Sequence, residues 1–193
     1  MKKSNIQEIN INKMFKQKCE QGGDIHEHLP TLRDLASECN HVTEMGVRGI
    51  VSTWAFVEGL KKGGKLISID IQFPAIYGGD LQPVVNACKE KEIDFSFRLG
   101  DTRNIEIEET DLLFIDTLHR YVQLKIELQL HADKAKKYIC FHDTTSCADF
   151  GVGPGGLDGG LWKAIEEFLV EHKEWKLKFR HTNNNGLTAI ERI

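Results

Sequence analysis

The sequence predicts a single α/β domain in which a mostly parallel sheet carries helices on both faces. Two observations lead there. From His41 onward, short apolar runs bounded by turn residues or charge alternate with amphipathic segments of helical period. Strand–helix alternation of this kind builds βαβ units, whose strands run parallel. The tail then breaks the pattern. Trp175–Arg180 and Leu187–Arg192 flank Asn183-Asn184-Asn185-Gly186, and an Asn-Gly turn between two β-rich runs is a hairpin signal. The sheet is therefore expected to end in an antiparallel pair.

The elements follow in order. Residues 1–40 read as a polar helical cap, with a capped helix starting near Pro30 where Leu32, Leu35 and Ala36 recur at helical spacing. The strands are His41–Met45, Lys65–Ile71, Phe95–Leu99, Asp111–Asp116 and Lys137–His142. Helical periodicity covers Ser52–Leu60, Leu81–Lys91, Tyr121–Lys134 and Leu161–His172. No linker divides the chain, so 1–193 is one domain, with 1–40 as cap and 41–193 as core. The one biased segment is Gly151–Gly160, in which six of ten positions are glycine. It reads equally as a substrate-gating loop or a plain flexible connection.

Composition narrows the function classes. With 25 Lys+Arg against 29 Asp+Glu the net charge is −4, which disfavours a nucleic-acid surface or a basic membrane-binding face. No apolar run approaches the ~20 residues of a membrane span, and Met1-Lys2-Lys3-Ser4 is not followed by the apolar region of a signal peptide. The five cysteines are odd in number and widely spread. That pattern suits reduced thiols, and the expected compartment is the cytoplasm.

The chemistry-bearing residues gather at strand ends. Glu44-Met45-Gly46-Val47-Arg48-Gly49 lies between the first strand and the helix opening at Ser52-Thr53. Glycine allows close backbone approach, and a helix N-terminus offers free N–H groups to an anion. A dinucleotide fingerprint would need a glycine where Arg48 stands, which weakens an NAD reading. Asp70 ends the second strand 24 residues after Gly46, the place from which an acid accepts hydrogen bonds from ribose hydroxyls. Asp101, after the third strand, stands on the same rim, within reach of an adenine. Asp116 ends the fourth strand with His119 on the following loop, and the fifth leads into His142-Asp143. Ligands bind beyond the carboxyl ends of strands in open α/β sheets, so both clusters are expected in one crevice. Asp116 and Asp143 can share a hard divalent cation, most simply magnesium. His119 titrates near neutrality and can take a proton from a hydroxyl.

Glu-x-Gly after strand one, an acid after strand two, Asp-x-x-His-x-Tyr after strand four and His-Asp after strand five together resemble the class I S-adenosylmethionine-dependent methyltransferases. The resemblance is closest to the branch of macrocin-type sugar O-methyltransferases and cephalosporin-hydroxylase-like proteins, and it covers about residues 24–193. It implies a Rossmann-like seven-stranded sheet with an antiparallel last strand. It places Glu44, Gly46 and Asp70 at the cofactor, where the rim position adds Asp101, and it places Asp116 and Asp143 at a metal, for which His142 is a further candidate ligand. His119 is implied as general base for methyl transfer to a small hydroxylated molecule, a sugar among the options. Metal-dependent relatives often carry two acids after strand five, where this chain has His142-Asp143. A homo-oligomer is compatible with all of this.

Three rivals stand beside that reading. In a non-haem iron oxygenase, His119, His142 and one aspartate would form a facial triad. An NAD-dependent oxidoreductase lacks its glycine spacing, and a non-catalytic binding module on this fold is the third. Other features read as bland. His26 and His28 suit capping or solvation better than metal binding, with a substrate lid as the minority reading. Trp54, Trp162 and Trp175 suit the core, and Lys61–Lys65 suits a solvated turn.

Overall fold

The computed structural model describes residues 10–153, 157 and 159–193. Its helices are α1 (Ile11–Glu20), α2 (Leu29–Ser37), α3 (Ser52–Gly59), α4 (Leu81–Lys91), α5 (Tyr121–His131) and α6 (Leu161–Glu171). Its strands are β1 (His41–Met45), β2 (Lys65–Asp70), β3 (Asp94–Leu99), β4 (Thr110–Ile115), β5 (Ala135–His142), β6 (Trp175–His181) and β7 (Leu187–Arg192). The predicted helix over Tyr121–Lys134 is shorter than expected, because its last three residues, Ala132–Lys134, tighten into a 3-10 turn. Residues 154–156 and 158 of the glycine-rich segment lie outside the described residues, and so does the part of its gating or connecting role that rests on them.

The strands form one seven-stranded sheet in the order β3-β2-β1-β4-β5-β7-β6. Strands β1 to β5 pair in parallel. β7 slots between β5 and β6, antiparallel to both. The hairpin predicted at Asn183–Gly186 closes that pair. Asn184 and Asn185 adopt φ of 43° and 68°, and Gly186 φ of 97°, the left-handed backbone that Asn and Gly tolerate best.

Alternation along the central strands sends side chains to both faces. In β4, Leu112 and Phe114 join a core beneath α1–α4, whereas Leu113 and Ile115 join a second core beneath α5 and α6. In β5, Cys140 and Phe141 divide in the same way. Phe56, Phe114 and Phe141 are fully buried, each contributing on the order of 1.5–3 kcal/mol of hydrophobic stabilisation. A strand buried on both faces leaves only its ends for polar chemistry. That is why Asp116 and His142-Asp143 sit where the apolar runs stop.

Trp54 and Trp175 belong to the core, while the ring of Trp162 is partly buried beneath the Arg180 guanidinium at 3.6 Å. All five cysteines are free, four of them buried. Among the described residues no helix is long and apolar enough to cross a membrane.

Candidate functional site

A cleft of about 390 Å³ opens at the carboxyl ends of β1, β2, β3 and β4. Gly46, Asp70, Asp101 and Asp116 all line it, together with Arg48, Ile71, Tyr77, Thr102 and Leu118. The mixture of apolar surface and a few convergent polar groups is that of a small-molecule site.

Gly46 adopts φ of 89°, and a Cβ there would lie 1.9 Å from the Asp116 backbone oxygen. The glycine is demanded by the close passage of β1 and β4 beneath the cleft. The turn beyond it is held from below by Asp70. Its Oδ2 accepts from the backbone N–H of Val47 at 2.8 Å and of Arg48 at 2.9 Å, and its Oδ1 accepts from Gln72 N–H at 2.9 Å. A carboxylate has about four acceptor sites. Oδ1, with one donor, keeps capacity for a hydroxyl in the cleft. Asp101 shares the rim with Arg103, whose guanidinium forks onto it with contacts down to 2.6 Å. That fork, with a backbone N–H from Arg103, holds the Asp101 carboxyl below its ordinary range.

The structure corrects the expectation for Glu44. Its side chain has no exposed surface. Both carboxylate oxygens accept hydroxyl hydrogen bonds within the fold, from Ser52 at 2.5 Å, Thr53 at 2.9 Å and Ser68 at 2.6 Å. Glu44 thus ties β1 to β2 and to the start of α3 under the cleft floor rather than lining the cleft. Burial pushes its carboxyl up to about 7, with the three hydroxyls and Asp116 as smaller influences. A similar device was not legible in the sequence. Glu127 on α5 is fully buried and accepts from Thr117 at 2.8 Å and from Gln123 at 2.7 Å, with Thr102 as a further donor. Gln123 and Glu127 are four residues apart on one helix face, a spacing that carries no distinctive signal.

Asp116 joins the cleft to the second cluster, as β4 and β5 are paired neighbours. His119 Nε2 lies 3.3 Å from Asp116 Oδ1 and 3.0 Å from Asp143 Oδ2. His142 Nδ1 lies 3.4 Å and 3.2 Å from the same two oxygens. Asp143 takes the left-handed backbone (φ 57°), a strained state for a non-glycine residue of the kind found at functional sites. Ser146 donates to Asp143 Oδ1 at 2.6 Å, leaving Oδ2 facing the imidazoles. Burial alone would depress both imidazoles, but the two carboxylates outweigh it and hold His119 and His142 above the usual histidine range. Burial alone would likewise raise the carboxyls, but the imidazoles hold Asp116 and Asp143 below theirs.

The residues fit a divalent ion. His142 Nδ1 is buried and has no hydrogen-bond partner, although two carboxylate oxygens stand near it. Donor atoms of Asp116, His142 and Asp143 all lie within 4.8 Å of one another, as do those of His119, Asp143 and Cys147.

His28 corrects the solvated reading. It is 2% exposed, its Nε2 meets the Asn183 carbonyl at 2.9 Å, and its ring stands edge-on to His142 at 6.0 Å. His26 does fold back locally, its Nδ1 meeting the Gly23 carbonyl at 2.8 Å.

No protein-family model matches the sequence, and no curated protein sequence matches it. Solved structures do match in shape. One is the O-methyltransferase TomG of Streptomyces achromogenes, involved in tomaymycin synthesis and solved with S-adenosylmethionine. It matches at a TM-score of 0.65 and 13% identity, over 98% of this chain and 92% of that one. The fold is the methyltransferase fold. An O-methyltransferase of Bacillus cereus, in complex with S-adenosylhomocysteine, matches at 0.60 and 13%, over 98% and 94% of the two chains. A methyltransferase of Geobacter sulfurreducens matches at 0.62 and 13%, over 97% and 90%. The oxygenase alternative draws no support from these three neighbours.

Proposed function

We propose that this methyltransferase-fold chain transfers a methyl group from S-adenosylmethionine to a hydroxyl of a small molecule, with a divalent ion beside the acceptor. One observation carries the reading: Asp116 belongs both to the cleft and to the Asp/His cluster, so a ligand filling the cleft reaches a cluster of imidazoles and carboxylates that can handle a proton. S-adenosylmethionine supplies an electrophilic methyl on a sulfonium. Asp70 Oδ1 has the acceptor capacity for a ribose hydroxyl, and Ile71, Tyr77 and Leu118 supply apolar surface for the base and the acceptor.

The acceptor hydroxyl must lose its proton as its oxygen takes the methyl. His119, partly exposed between two carboxylates, is the base assigned to that proton; it accepts once its ring is neutral, a state that an ion held on Asp116 and Asp143 would favour by countering their charge. Asp116, His142 and Asp143 are the residues that would hold the ion, which lowers the pKa of a bound hydroxyl and orients it. Holding oxygen, carbon and sulfur in line is the remaining contribution of the site.

The test is an acceptor screen. Purified protein is incubated with S-adenosylmethionine and a panel of sugars, phenols and other hydroxylated molecules, and S-adenosylhomocysteine release is measured with and without chelator. Acceptor-dependent release supports the reading. Release that depends only on amine or thiol acceptors contradicts the O-methylation part.

A further inference from the structure

We propose that the Asp/His cluster selects a first-row transition ion such as Mn²⁺, Co²⁺ or Zn²⁺ over Mg²⁺, with His142 as a nitrogen ligand whose orientation is fixed by the segment 22–28. The proposal rests on the divalent-ion part of the reading above and is independent of the methyl donor.

The tautomer of His142 is set by its far side. Nε2 lies 2.9 Å from the Asp24 carbonyl oxygen and 3.3 Å from that of Asn184. A carbonyl only accepts, so Nε2 carries the hydrogen. Nδ1 is then the atom that faces Asp116 and Asp143: it carries a proton while the carboxylates hold the ring charged, and a lone pair when the ring is neutral, as a metal ligand must be. This atom is buried without a hydrogen-bond partner, and the side chain is 1% exposed. An unsatisfied buried nitrogen costs stability, and a metal ion is the partner that suits a lone pair facing two carboxylate oxygens.

The distances agree with this. Ligand atoms bound at about 2.1 Å stand roughly 3.0–3.4 Å apart at right or tetrahedral angles. Nδ1 lies 3.2 Å and 3.4 Å from Asp143 Oδ2 and Asp116 Oδ1. The donor chemistry decides the class of ion. Magnesium prefers oxygen and keeps its waters, whereas imidazole suits transition ions. His119 and Cys147 stand beside Asp143 as further nitrogen and sulfur donors, which moves the set further from magnesium.

The carbonyl that orients His142 is itself held in place. Asn184 donates from Nδ2 to the Gly23 carbonyl at 2.7 Å and accepts Glu27 N–H on Oδ1 at 3.0 Å. Asn183 donates to Glu27 Oε2 at 2.6 Å. These contacts hold the Asp24 carbonyl against Nε2, an outer-shell arrangement whose loss typically weakens metal binding by about 10–100-fold.

The full-length protein is titrated with Co²⁺, following its visible absorption, and in competition with Mg²⁺, for the wild type, His142→Ala and Asn184→Gly. Glycine retains the left-handed turn at 184 (φ 43°) but removes the amide. Circular dichroism and melting temperature establish that each variant is folded. The expected result is intense, low-symmetry Co²⁺ bands that a large excess of Mg²⁺ does not abolish. His142→Ala should lose those bands, and Asn184→Gly should weaken Co²⁺ about 10–100-fold with little effect on Mg²⁺. Mg²⁺ binding as tightly as Co²⁺, a spectrum indifferent to His142→Ala, or no Co²⁺ binding at all would overturn the proposal. The last outcome would leave the cluster as an ion pair only. S-adenosylmethionine titrated without metal reports separately on the methyl-donor reading, so either idea can fail alone.

Discussion

The Cβ that residue 46 lacks would stand 1.9 Å from the backbone oxygen of Asp116. This places the end of β1 against the end of β4 at the point where the cleft meets the Asp/His cluster. Gly46→Ala must therefore move one strand end and also accept φ of 89°. A loss of about 3–5 kcal/mol is expected, or a fall in melting temperature on the order of 10 °C for a chain of this size. An alanine variant melting within two or three degrees of wild type would contradict the close approach.

Glu44 makes a pH prediction. Its carboxyl, raised to about 7 by burial, binds its proton more tightly folded than unfolded. The stability it contributes is full below about 4.5 and is lost as pH rises toward 7. The stability of wild type relative to Glu44→Gln should fall across that window, by up to about 3 kcal/mol. Chemical denaturation of both proteins at several pH values reads this directly, and a difference that stays constant with pH would refute it.

Much of the fold is legible because its signals are local. His41–Met45, Leu81–Lys91 and Leu187–Arg192 match their predicted ranges to the residue, since each is a periodic run closed by turn or charged residues. The strand-end residues Asp70, Asp101 and Asp116 reach the cleft rim because parallel strands share one carboxyl edge. What was illegible depends on distant partners. Glu44 reads as a cofactor contact until Ser68, 24 residues on, is seen donating to it. The role of His28 depends on Asn183, 155 residues away. Nothing in Asp24–His28 as a string reveals that it packs against the hairpin.

His119 makes the prediction closest to the chemistry. His119→Ala should lower turnover by about 10²–10⁴-fold, the range for a histidine base, and leave the affinity for S-adenosylhomocysteine nearly unchanged. Rate and melting temperature are read on one preparation. A folded variant with near-normal turnover rules out the base.

The central claim is that the cleft takes S-adenosylmethionine, and calorimetric titration tests it most directly. S-adenosylmethionine and S-adenosylhomocysteine should each bind at one site per chain, and NAD should give no heat of binding. Asp70→Ala should weaken both by about 1.5–3 kcal/mol, the worth of hydrogen bonds to a charged group, or roughly 10–150-fold in Kd. Binding of NAD with no response to either adenosyl compound, or an unchanged Kd in Asp70→Ala, would contradict it.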